Sequence, residues 1–112
     1  MSVAKSVAER ILARVPTDKA FYFYSEIGKP LEAFASSLGE FGEKLKTVEA
    51  KSLEFHINRG DFEKWVYMLG DGELARSLIR VRDAKLSGEK LRTELVRTVQ
   101  TRIRQLKRSA PK

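Results

Sequence analysis

Residues 49–61 read EAKSLEFHINRGD, and the fold turns on whether they form a strand or a helix. Leu53, Phe55 and Ile57 alternate as strand side chains do, whereas Leu53, His56 and Ile57 share one face of a helix. The residues that follow decide it. Gly60 can take the left-handed conformation that ends a helix, and Asp61 stands where a carboxylate can cap the next one. With 49–59 helical, everything downstream reads as helix. Phe62, Trp65, Val66 and Leu69 recur at i, i+3, i+4 and i+7 before Gly70. Asp71 then opens a helix with Leu74, Ala75, Leu78 and Val81 inward, and Ser87 caps a last helix running to about Arg108, roughly 30 Å long.

Upstream, Ser37 and Glu40 form a capping box for a short helix that buries Leu38, Phe41 and Leu45. Phe21-Tyr22-Phe23-Tyr24 reads as a strand, Ile27-Gly28-Lys29-Pro30 as a turn, and Leu31–Ala35 as a returning strand. A first helix, capped by Ser2 or Ser6 and closed by Pro16, carries Val7, Ile11, Leu12 and Val15 on one face. Pro111 and Lys112 form a frayed end. The expected fold is α+β: a mostly helical small domain over 1–86 with an aromatic hairpin, followed by a long amphipathic helix over 87–112. A two-stranded hairpin is marginal alone, so it must pack on helices or pair with further strands.

The charge is segregated along the chain. From Arg80 to Lys112 there are eleven Lys/Arg against three acids, whereas the first 79 residues hold eleven bases and twelve acids. A segment so basic suits a polyanion or an assembly that concentrates a positive field. The same helix carries Val96, Val99, Ile103 and Leu106 at spacings of 3, 4 and 3, a short heptad row that Leu95 widens. The row by itself fits a stripe packed back onto its own domain as well as a seam between copies, and the helix's length on so small a domain tips the reading toward homo-oligomerisation through Leu95, Val96, Val99, Ile103 and Leu106.

Chemistry of other kinds finds little support. The chain has no cysteine and one histidine, which leaves no thiolate nucleophile, no disulfide framework and no metal cluster of the usual kind. The acids are scattered at helix starts and solvent faces, so no catalytic residue, metal or cofactor is expected and the protein reads as a non-enzyme. No apolar run is long enough for a bilayer, and Lys5, Glu9 and Arg10 break the first apolar stretch. A cytoplasmic protein with no membrane partner is expected. One Asn, two Gln and two Met lean toward a thermophilic source.

Sequence-tolerant binding of a single strand needs aromatic faces for stacking and cations to track phosphates. Tyr22, Tyr24, Phe55, Trp65 and Tyr67 are the candidate platforms, with Lys51, Arg59, Lys64, Arg76 and Arg80 as cations that can lie near them. His56, beside Leu53 and Ile57, fits a half-buried structural histidine better than a ligand. No helix-turn-helix or zinc finger is visible, so base-specific duplex readout is not expected.

Phe55-His56, Arg59-Gly60-Asp61-Phe62 and Trp65, continuing to Leu69-Gly70-Asp71-Gly72-Glu73-Leu74-Ala75 and joined to the aromatic strand 21–24 and the segment 37–46, form a pattern over about residues 20–82. This pattern resembles that of the archaeal ThermoDBP-related proteins. The resemblance implies a non-OB single-stranded DNA-binding domain whose cleft is lined by aromatic and basic side chains. It also matches the last helix to an oligomerisation helix and implies assembly into dimers or tetramers. The expected nucleic-acid site is therefore Tyr22, Tyr24, Lys51, Phe55, His56, Arg59, Lys64, Trp65 and Arg80, with DNA ahead of RNA. A protein-interaction or assembly module, using the basic coiled-coil helix and no nucleic acid, is the alternative.

Overall fold

The computed structural model describes residues 3–111. The described chain runs α1 (Lys5–Leu12), a short 3-10 turn at Thr17–Lys19, β1 (Phe21–Glu26), β2 (Lys29–Ala35), α2 (Leu38–Lys44), α3 (Ala50–Arg59), α4 (Asp61–Leu69), α5 (Gly72–Asp83) and α6 (Gly88–Ser109). The α+β class read from the sequence is the one observed, and the ambiguous segment is helical. Its end is set by Gly60, whose φ of 78° lies in the left-handed region and whose N–H returns to the carbonyl of Ile57. A side chain at that φ is strained, so glycine lets α4 begin with a single residue between it and the end of α3.

The two strands form one antiparallel hairpin, pairing Phe21 with Ala35, Tyr22 with Phe34, Tyr24 with Pro30 and Glu26 with Lys29. Between the second and third of these pairs β2 spends two more residues than β1, so the ladder is bulged there. Strand alternation turns Phe21 and Phe23 inward and leaves Tyr22 exposed. The inward pair meets Phe41 of α2 and Phe62 and Trp65 of α4. Ring centroids lie 5.5 Å apart for Phe21–Phe41, 5.3 Å for Phe21–Phe62 and 5.2 Å for Phe41–Trp65. Edge-on and tilted packing of this kind adds to the area each ring buries. The hairpin is thus stabilised by helices: α3 packs on β1 and α2 on β2.

Several helix starts differ from expectation. Ser2 lies outside the described residues, Ser6 is inside α1, and Ala4 precedes that helix without a side-chain cap. Asp61 is the first residue of α4, and Gly60 occupies the cap position. Ser87 precedes α6 without a side-chain cap, and Glu54 of α3 accepts the Gly88 N–H at 2.8 Å. Ser37 does accept the Glu40 N–H, and Glu40 reaches back to the N–H of Ser36.

The main correction concerns α6. Leu95, Val99, Ile103 and Leu106 are buried in the single chain's own core together with Leu91, and Val96 is half-buried against it. The helix lies across α1, α2, α3 and α5. It is therefore neither a separate element after residue 86 nor an exposed heptad seam. Close approach to α2 is possible because Gly42 has no side chain: a Cβ there would meet Gln100 Nε2 at 2.9 Å and Ile103 Cδ1 at 3.0 Å. The rotation of α6 is fixed by Arg102, which turns inward and donates from Nε and Nη2 to the two carboxylate oxygens of Asp71 at 2.8 and 2.9 Å. Asp71 is 1% exposed in its side chain and Arg102 8%. Asp71 also caps α5 through the Leu74 N–H, and Arg102 further donates to Gln105 and Glu73.

Removing one member of a buried ion pair strands the other, at a cost of about 3–5 kcal/mol. Arg102→Ala should destabilise by that amount in urea denaturation, while Arg97→Ala, which breaks an exposed pair with Glu94, should leave the urea midpoint nearly unchanged. Leu106→Asp should unfold the chain.

Candidate functional site

β1, the turn after it, the 3-10 turn, α3 and α4 enclose a cleft of about 600 Å³. Seven of the nine residues expected from the sequence line it: Tyr22, Tyr24, Phe55, His56, Arg59, Lys64 and Trp65. Lys19, Ile27 and Met68 line it as well and were not anticipated. Lys19 sits in the short polar connection before the hairpin, and Met68 lies one helical turn beyond Lys64 and Trp65. The one signal for Met68 in the sequence is its spacing on α4, three and four residues after Trp65 and Lys64.

The cleft residues play different parts. Tyr22 is 44% exposed, yet its ring stacks on Phe34 at 5.6 Å and its hydroxyl donates to the Thr17 carbonyl at 2.6 Å. That ring is a flat apolar surface already fixed in place. Tyr24 is half-buried, edge-on to His56, and its hydroxyl has no partner within the protein among the described residues. Phe55 is half-buried under the Arg59 guanidinium, 5.0 Å from the ring centre. Trp65 is almost wholly in the core and spends its indole N–H on the Lys19 carbonyl at 2.9 Å, so it forms a wall of the cleft.

His56 is structural. It is 3% exposed, its Nε2 accepts the Tyr24 backbone N–H at 2.8 Å, and its Nδ1 faces Asp61 Oδ2 at 2.8 Å. An atom that accepts from an amide N–H carries no proton, so the ring is neutral with its proton on Nδ1, donated to Asp61. Burial pushes its pKa below the ordinary value and outweighs the opposing pull of Asp61, with Arg59 adding to the depression. Arg59 Nε reaches the same carboxylate oxygen at 3.1 Å. The residues 55–62 pattern is thereby accounted for: His56 ties α3 to β1, Asp61 holds His56, and Gly60 lets the chain turn between them.

Two expected residues lie elsewhere. Lys51 pairs with Glu26 at 2.9 Å, holding that exposed carboxyl below its usual range. Arg80 stands in a groove between α5 and α6, bonded to Ser77 Oγ. Tyr67, though exposed, is outside the cleft and beside Gly72. The charge lining the cleft is modest, with Lys19, Arg59 and Lys64 against Asp18 and Asp61. Lys19 and Lys64 are exposed, and neither has a carboxylate partner among the described residues, so both are available to an anion. Among the described residues no group of three His, Cys, Asp or Glu could hold a metal, and no helix is long and apolar enough to cross a membrane.

Residues 3–100 match a family of unknown function (DUF5752), and the chain belongs to that family. No curated protein and no solved structure matches it.

The histidine gives a pH signature. Its folded-state pKa is depressed, so the unfolded chain binds the proton more readily. Stability should be full above about pH 6.5 and fall as pH drops through that value toward the lower folded pKa. His56→Gln should lower stability by about 1–3 kcal/mol and flatten the slope between pH 5.5 and 7.5. Urea midpoints across that range measure both.

Proposed function

We propose that this cleft binds a short stretch of single-stranded nucleic acid without sequence preference, and that the protein acts by binding and not by catalysis. The observation that carries the reading is the meeting of a fixed, exposed tyrosine ring with two unpaired lysines, Lys19 and Lys64, around one cavity. A base has a π-face whatever its identity, so stacking on Tyr22 tolerates any sequence, and flanking ammonium groups meet the phosphates on either side. Tyr24 and Phe55 extend the apolar surface, and the free Tyr24 hydroxyl can reach a base edge or sugar. Arg59 contributes more to shape than to charge, since Asp61 and Phe55 already engage it. The resemblance to ThermoDBP-related proteins favours DNA over RNA. One chain forms the whole cleft, and any homo-oligomer would have to use a surface other than Leu95, Val99, Ile103 and Leu106.

A second reading is an interaction module that grips a protein segment in the same cleft. Ile27 favours it, since an isoleucine 78% exposed at the hairpin tip beside Met68 makes an apolar rim.

Fluorescence anisotropy with a labelled oligothymidylate separates the two. Tyr22→Ala should cost about 1–3 kcal/mol of single-strand binding and leave the salt dependence unchanged. Lys19→Gln with Lys64→Gln should reduce the slope of log affinity against log salt by about 1.4, near 0.7 per phosphate. No binding by the folded wild-type chain at low salt would favour the interaction module.

A further inference from the structure

The chain's surplus positive charge does not lie in the cleft. Between Arg80 and Pro111 every carboxylate is already paired: Asp83 with Arg82, Glu89 with Arg92 and Glu94 with Arg97. Arg102 is buried on Asp71. That leaves Arg80, Lys85, Lys90, Arg104, Lys107 and Arg108, all exposed, with no carboxylate in reach among the described residues. Their arrangement is ordered. Lys90, Arg97 and Arg104 are seven residues apart, which returns a helix to nearly the same face, and Arg108 continues the row one turn further. The row is about 27 Å long. Thr93 and Thr101 lie exposed along it, and Thr101 accepts from Arg104 at 3.3 Å. Beside it, a groove of about 350 Å³ between α5 and α6 brings Arg80 and Arg97 together with the hydroxyls of Ser77, Thr98 and Thr101, and with Glu94, whose carboxylate is taken by Arg97.

We propose that this face of α6, with Arg80 from α5, is a second binding surface, separate from the cleft, that takes the sugar–phosphate backbone of duplex nucleic acid. Arginine-rich cations interleaved with hydroxyl donors match phosphate oxygens, whose negative charge the row complements along its length. No aromatic ring lies on the row, so nothing there stacks an unpaired base, and the duplex offers the densest line of phosphates. The face does not suit insertion into a lipid surface, because the apolar side of α6 is buried in the core and the exposed side chains are charged or polar. The surface is independent of the cleft reading, since Tyr22, Lys19 and Lys64 take no part in it.

The test is binding of a random-sequence duplex across a salt series by the wild type, by a triple variant Lys90→Gln, Arg104→Gln, Arg108→Gln, and by Tyr22→Ala. All three substituted positions of the triple variant are exposed and carry no ion pair among the described residues, so the fold, checked by circular dichroism and melting temperature, should hold. The wild type should bind at low salt. The triple variant should lose about 2.7 from the slope of log affinity against log salt. Between 50 and 200 mM salt the wild type should therefore lose roughly 40-fold more affinity than the triple variant. Tyr22→Ala should leave duplex binding unchanged. The proposal is overturned if the wild type does not bind duplex, or if the triple variant keeps the wild-type slope. Displacement of the duplex by polyglutamate at equal charge concentration would also overturn it, by showing an acidic protein to be an equal partner. Failure of Tyr22→Ala to weaken oligothymidylate binding would count against the cleft alone.

Discussion

A neutral imidazole ties the hairpin to the α3–α4 corner of this protein. A two-stranded hairpin has too little area to stand alone in water, and its outer edge leaves amide groups unpaired. His56 takes one of them, the Tyr24 N–H, on one ring nitrogen, while its other nitrogen faces Asp61 at the start of α4. The same ring lies against Phe21 at 4.8 Å and Phe62 at 5.5 Å, so it is part of the aromatic core as well as a hydrogen-bond bridge. The cleft exists because of this bridge. It is the space left where the hairpin, pinned at Tyr24, leans over the α3–α4 corner, and its floor is the half-buried side of Tyr24 and Phe55. Neutrality of the ring is essential: a protonated Nε2 would turn a donor toward the Tyr24 N–H.

The other buried polar element, Arg102 on Asp71, does for α6 what His56 does for the hairpin. A long helix with an apolar stripe can rotate about its own axis and still bury similar area. A bidentate pair inside the core accepts one rotation only. Fixing that rotation puts Leu95, Val99, Ile103 and Leu106 inside and the basic row of Lys90, Arg97, Arg104 and Arg108 outside. The two candidate surfaces thus follow from the two buried polar contacts, with an aromatic, nearly charge-balanced cleft on one part of the molecule and a strongly basic helix face on another.

Much of the fold was legible because its signals are local. Gly60 and Gly70 stop helices, Ser37 and Asp71 cap them, and aromatic alternation marks β1. What escaped was set by tertiary contact. The heptad row of α6 is indistinguishable by period from a core-facing stripe, and only the burial of Arg102 decides between them. Glu54 capping Gly88 from 34 residues away leaves no local trace. The cleft was legible in part, since aromatic and basic residues within 55–65 are brought together by the α3–α4 corner. Lys51 and Arg80 were misplaced because residue type and nearness in sequence do not reveal which face a cation occupies. The residues around His56 already favour a structural histidine, whereas its partners, a backbone amide and a carboxylate, are visible only in three dimensions.

The central claim is that an unpaired strand lies across Tyr22, Tyr24 and Phe55. A two-dimensional amide spectrum of the labelled protein, titrated with a short oligothymidylate at moderate salt, addresses it residue by residue. The account predicts that the largest shift changes cluster in residues 18–28 and 55–68, with α6 little affected. Saturable shifts confined to α6, or none at concentrations where the folded protein remains soluble, would contradict it.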